Sequence, residues 1–168
     1  MKNLIKLFLL IVLVTNIISV YANGPRGKSF GFGLVLGDPV GLTAKLWTSN
    51  ENAFDFYLGN SYFGNLRLGA DYLWHFDAFN SSVVKMYAGP GIAVGFGRGE
   101  GIWYKQGKNK FYYWDDGETG IAARVIFGLN IIPRRTPLEI FLEAGPLIGI
   151  VPNMGVNMDA AVGIRFYP

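Results

Sequence analysis

A chain of 168 residues, 51% of them apolar, is long enough for one packed domain and too short for two. The absence of cysteine excludes a disulfide scaffold and the cysteine-based zinc sites, and it leaves no cysteine for a lipid anchor. Fifteen basic residues against twelve acidic ones give a formal charge of +3, but Lys2 and Lys6 belong to a leader-like segment. Without them 13 basic residues face 12 acidic ones, so the charge argues for no nucleic-acid partner.

The leader is MKNLIKLFLLIVLVTNIISVYA, residues 1–22. Two early lysines, an apolar stretch from Leu7 to Val14 and small residues ahead of Ala22 are the layout of a secretory signal peptide, with cleavage expected after Ala22. Thr15, Asn16 and Ser19 interrupt the apolar stretch before it reaches the roughly 20 residues a membrane-spanning helix needs. The mature domain is therefore expected over 23–168.

Along that domain a two-residue period replaces any helical pattern. It begins in SFGFGLVL at 29–36 and returns, after the turn cluster GDPVG, at 42–48. SNEN precedes the next strand at 53–59, NSYFG the one at 65–76, and DAFNSS the one at 83–97. A long connection from Arg98 to Thr119 leads to 120–131, PRRT to 138–149, and PNMGV to 157–167. Eight strands on mostly short links predict an all-β fold, an antiparallel up-and-down meander that loses its exposed edges by closing into a barrel.

Parity decides which environment each face meets. One set of alternating positions is wholly apolar, from Phe30, Phe32, Leu34 and Leu36 to Met158, Ala160, Val162, Ile164 and Phe166. The opposite set carries every strand charge: Lys45, Arg67, Lys85, Arg124 and Arg165 against Asp55, Asp71, Glu139, Glu143 and Asp159. A soluble barrel would put the apolar set in its core, and a transmembrane barrel would turn it toward lipid. The charged parity also holds many glycines, among them Gly31, Gly33, Gly69, Gly128 and Gly163. Glycine weakens a water-facing strand, whereas the narrow interior of an eight-stranded barrel needs small residues to admit large ones. The expectation is an eight-stranded transmembrane β-barrel with Tyr72, Trp74 and Phe76 in an interfacial girdle.

The last strands, TPLEIFLEAGPLIGI and AAVGIRFYP, resemble those of the small eight-stranded outer-membrane barrels of the OmpA and OmpX transmembrane type. The resemblance covers roughly residues 28–168. It implies outer-membrane lipid as the surroundings, a plugged interior, and a final strand read by the barrel-assembly machinery. Val162, Ile164 and Phe166 match that final strand, while the chain ends in Pro168 where the family has an aromatic. It also implies that both termini face the periplasm and that the 98–119 connection lies outside the cell.

Five positive and five negative lumen charges are expected to pair, because an isolated buried charge is costly. No cofactor or metal is implied: the single histidine and scattered carboxylates provide neither zinc nor calcium spacing. GFGRGEG at 95–101 lacks the helix and lysine of a phosphate loop. Some barrels of this size modify lipid A, but His75 and Asp71 lie roughly 13 Å apart at about 3.3 Å per residue, too far to hydrogen-bond. No catalytic residue is assigned. Pro90 and Pro146, each after Ala-Gly, are expected to make a bulge or kink.

The remaining feature is GIWYKQGKNKFYYW at 101–114. It reads as a hairpin that extends the strands on either side, with its turn at Gly107, Lys108 and Asn109. Trp103, Tyr104, Lys105, Lys108, Lys110, Phe111, Tyr112, Tyr113 and Trp114 are the candidate contact residues for an extracellular protein partner, or else an outer aromatic girdle. The leading function is a non-enzymatic envelope barrel with an external hairpin for adhesion or host-factor binding. A lipid-modifying outer-membrane enzyme and a soluble secreted lipocalin-like barrel are the alternatives.

Overall fold

The computed structural model describes residues 24–97, 99–106, 108–114, 119–152 and 154–168, with backbone alone over 99–106 and 108–114. The segment expected as a signal peptide lies outside the described residues. A short 3-10 turn at Pro25–Gly27 leads into ten strands: β1 (Phe30–Gly37), β2 (Val40–Trp47), β3 (Asn52–Ser61), β4 (Gly64–Phe76), β5 (Val84–Phe96), β6 (Gly99–Gln106), β7 (Lys108–Trp114), β8 (Thr119–Ile131), β9 (Leu138–Val151) and β10 (Gly155–Phe166).

Eight of these strands form the barrel. β1 to β5 pair in sequence, β5 pairs with β8, and β8, β9 and β10 follow, all antiparallel. β10 then closes on β1, from Phe32 opposite Phe166 to Gly37 opposite Ala161. Closure satisfies both edges of the sheet, which is what lets strands cross an apolar medium. The β1–β2 turn is tight: Gly37 has φ +126°, and a Cβ there would meet the Ala160 carbonyl oxygen at 2.3 Å.

Three sequence expectations change. The hairpin does not simply extend its neighbours: the β5–β8 ladder ends at Phe96 opposite Thr119, and β6 pairs with β10 at Trp103 opposite Val156. Because the chain leaves the β10 edge after Asp38 N–H bonds the Ala160 carbonyl, the edge beyond it is open to β6, which pairs there at Val156. The turn is also displaced, since Gln106 opposes Lys108 and Lys105 opposes Asn109, which puts Lys108 and Asn109 inside β7. Finally, the prolines cause no bulge. The β4–β5 ladder resumes in the same register on both sides of Pro90, at Asp71 opposite Gly91 and Trp74 opposite Ala88; β8–β9 does likewise around Pro146, at Arg124 opposite Leu147 and Phe127 opposite Ala144. Each proline drops one stretch of hydrogen bonds and keeps its strand in phase on the other flank. The register shifts in the barrel fall instead between Gly59 and Ser61 and between Ile121 and Ala122.

Candidate functional site: the charged lumen

The alternating strands point one parity inward, and the inward side chains form two linked clusters. Toward the terminal end, the one that holds the Pro25–Gly27 turn and Tyr167, Glu139 of β9 is the centre. Lys45 Nζ and Arg165 Nη1 each reach Glu139 Oε1 at 2.9 Å, and the Tyr167 hydroxyl donates to its other oxygen. Arg165 also contacts Asp55 and donates through Nε to Thr43 Oγ1 at 3.0 Å. Trp47 Nε1 donates to the Tyr167 hydroxyl at 3.1 Å, closing the cluster at its base.

Toward the hairpin end, Asp159 of β10 and Arg124 of β8 organise the second cluster. Arg124 reaches Glu143 Oε1 at 3.0 Å, Asp71 Oδ1 at 3.3 Å and Asp159 Oδ2 at 3.4 Å. Arg67 contacts Asp159 and, from the same guanidinium, Asp38 Oδ1 at 3.3 Å. The Tyr62 hydroxyl donates to Asp159 Oδ1 at 2.6 Å, and the Tyr87 hydroxyl to Glu143 Oε2 at 2.9 Å. Asp38 stands in the β1–β2 turn, outside the spanning strands, where burial raises its carboxyl above the ordinary carboxylate range against the pull of Ser61 and Arg67.

Aromatic rings fill the space between charges. The Arg165 guanidinium lies 3.8 Å from the Phe141 ring centre, and Tyr57 has Arg67 at 5.1 Å and Arg124 at 4.9 Å. Cross-strand pairs explain the glycines: Tyr57 opposes Gly69, Tyr87 opposes Gly128, and Phe141 opposes Gly163. A Cβ on those glycines would come within 1.8, 2.2 and 2.3 Å of the facing rings. The rings therefore lie across glycine backbones, and the small residues of this parity make room for them.

Nine of the ten sequence-predicted lumen residues share these clusters. Lys85 does not: it sits near the start of β5, half-buried at the terminal end, with no ion-pair partner among the described residues. Its height along the strand carries the ammonium below the network, which parity alone does not reveal. Asp38, Thr43, Tyr62 and Tyr87 join the network without having been singled out by sequence. Four cations thus face five carboxylates, six with Asp38. His75 packs its ring against Trp47 and Tyr87, with Nδ1 3.0 Å from the Glu51 carbonyl oxygen. The candidate contact residues from Trp103 to Trp114 occupy β6 and β7, and their side chains lie outside the described part of the structure.

The exterior is the inverse of the interior. Leu36, Ile92 and Met158 are about 60% exposed (61, 60 and 61%), and large apolar residues project from all eight barrel strands, while Lys45 and Arg67 are fully buried. An apolar exterior over a charged interior is stable only where the surrounding medium is hydrocarbon. The chain is an eight-stranded transmembrane β-barrel. It matches no protein-family profile and no curated protein. Among solved structures it is similar to the crystal structure of Neisserial surface protein A, at 15% identity and a TM-score of 0.44, over 83% of this chain and 93% of that one. This barrel carries Trp74 and Phe76 at the terminal end of its outer face, half-exposed, where an interfacial girdle is expected.

Proposed function

We propose that the chain is a non-enzymatic integral outer-membrane protein whose ion-pair network seals the lumen and whose β6–β7 hairpin is presented outside the cell. The observation that carries the reading is the linkage of Lys45, Arg67, Arg124 and Arg165 to carboxylates on other strands across the barrel interior. An aqueous pore would hydrate those charges; here they are buried against one another and against aromatic rings. Buried pairs of this kind hold the strands in one arrangement, and separating them is costly.

Purified protein in a planar lipid bilayer is expected to show no large, steady conductance, and such a conductance would overturn the sealed lumen. Cell fractionation is expected to recover the chain with the outer membrane as a band whose gel migration changes on boiling. Recovery in the soluble fraction would sink the membrane location. Lipid A from cells with and without the protein is expected to be identical by mass spectrometry; a modified species would favour the lipid-modifying enzyme.

The hairpin is the candidate binding element, through the tyrosines, tryptophans and lysines between Trp103 and Trp114. Deleting 103–113 is expected to leave assembly intact, because the closure of β1 on β10 from Phe32–Phe166 to Gly37–Ala161 does not use it. The same deletion is expected to abolish adhesion of expressing cells to host surfaces. A barrel that no longer inserts would make the segment structural and remove the binding reading.

A further inference from the structure

The terminal end of the barrel holds a cavity that the lumen network does not use. Its volume is about 390 Å³, more than ten times the roughly 30 Å³ that one water occupies in the liquid. Three separate pieces of chain wall it: the N-terminal turn with Arg26, the β4–β5 connection with Asp77, Ser81 and Ser82 running into the start of β5 with Lys85, and the β8–β9 connection with Arg134. Residues distant in sequence thus bring three cations to one space.

The opposing charge is slight. Asp77 directs Oδ1 at its own turn, accepting hydrogen bonds from the backbone N–H of Phe79 at 3.3 Å and of Ser81 at 3.0 Å. Arg134 Nε donates to Ser82 Oγ at 2.9 Å, and Arg26 Nη2 donates to the Arg135 carbonyl oxygen at 2.6 Å, so each guanidinium is held in place by a neutral acceptor. None of the three cations has a carboxylate within ion-pair distance among the described residues. A cavity with two exposed guanidinium groups at its rim, an ammonium and serine hydroxyls suits a tetrahedral oxyanion, because arginine bonds phosphate in bidentate fashion and lysine adds a point charge.

The surroundings indicate where such an anion comes from. Phe79, in the connection that forms one wall, is 55% exposed, and Trp74 and Phe76 project outward from the same end of β4. Interfacial aromatics mark the depth of lipid head groups. We propose that this cavity is a binding site for the phosphoryl head group of an anionic phospholipid. The assignment depends only on the barrel spanning a membrane, and it stands whether or not the lumen is sealed.

The full barrel would be reconstituted in phosphatidylcholine nanodiscs containing a minor fraction of phosphatidylglycerol, then transferred to detergent, and the retained lipid would be weighed by native mass spectrometry. Retention of phosphatidylglycerol over phosphatidylcholine is expected, falling about tenfold in Lys85→Gln, the loss corresponding to one charge-assisted contact, and further in the double variant Lys85→Gln, Arg134→Gln. Lys28→Gln, an exposed cation outside the cavity, is expected to leave retention unchanged. Free glycerol phosphate added in excess is expected not to displace the lipid. Equal retention of the two lipids, an equal effect of Lys28→Gln, or displacement by glycerol phosphate would each overturn the proposal; the last would identify a soluble phosphate as the ligand. Unchanged heat-shift migration of the variants confirms that they are folded.

Discussion

Replacing Arg124 with methionine is expected to destabilise the barrel by about 3–5 kcal/mol, the cost of removing one partner from a buried ion pair. Arg124 is the one cation within ion-pair distance of Asp71 among the described residues, and it shares Glu143 and Asp159 with other donors. Without it Asp71 remains buried with its charge uncompensated, Glu143 keeps the Tyr87 hydroxyl, and Asp159 keeps Arg67. The strain should therefore concentrate on Asp71. Adding Asp71→Asn to the Arg124→Met chain is expected to restore part of the loss, with a coupling of about 0.5–3 kcal/mol. Arg124→Lys should fall between wild type and methionine, because one ammonium cannot address three carboxylates at once. Guanidinium unfolding from lipid vesicles, followed by gel shift, measures each value. A loss below about 1 kcal/mol for Arg124→Met would show that the charges are hydrated and that the network is not a buried one.

The membrane reading was legible because parity separates two chemistries cleanly. Phe32, Leu34 and Leu36 alternate with Gly31, Gly33 and Val35, and the apolar set holds no charge anywhere. Parity tells which way a side chain faces; it does not tell its height along the barrel. Parity alone therefore groups Lys85 with Lys45, although one lies at the rim and the other is fully buried against Glu139. Residue type hid a second part of the lumen. Trp47, Leu73, Ile126 and Phe141 share the charged parity and turn inward, but being apolar they carry no residue-type mark of a lumen position. Tyr62 and Asp38 come from turns, where no period exists to place them. The hairpin was legible as a hairpin, because aromatic arms flank a polar centre. Its pairing with β10 was not, because that depends on how early β1 ends on the opposite side of the barrel.

Gly128→Val tests the other half of the interior, the fit of rings over glycine. The Cβ of any residue at 128 would lie 2.2 Å from Cζ of Tyr87, the cross-strand partner, well inside contact distance. Tyr87 has little room to yield: it is fully buried, its hydroxyl donates to Glu143, and its ring packs 5.3 Å from that of His75 and 5.1 Å from Lys45 Nζ. Overpacking alone typically costs about 1–3 kcal/mol, and displacing the hydroxyl from buried Glu143 adds about 1–3 kcal/mol for the unsatisfied carboxylate oxygen. The combined loss is expected to approach that of Arg124→Met, measured by the same unfolding assay. Tyr87→Leu in the Gly128→Val background is expected to recover the overpacking part and leave the hydrogen-bond part, because leucine vacates the space above residue 128 without satisfying Glu143. If Gly128→Val proves neutral, the ring does not rest on the glycine. The glycines of the inward parity would then need another explanation than making room for aromatic rings in a crowded lumen.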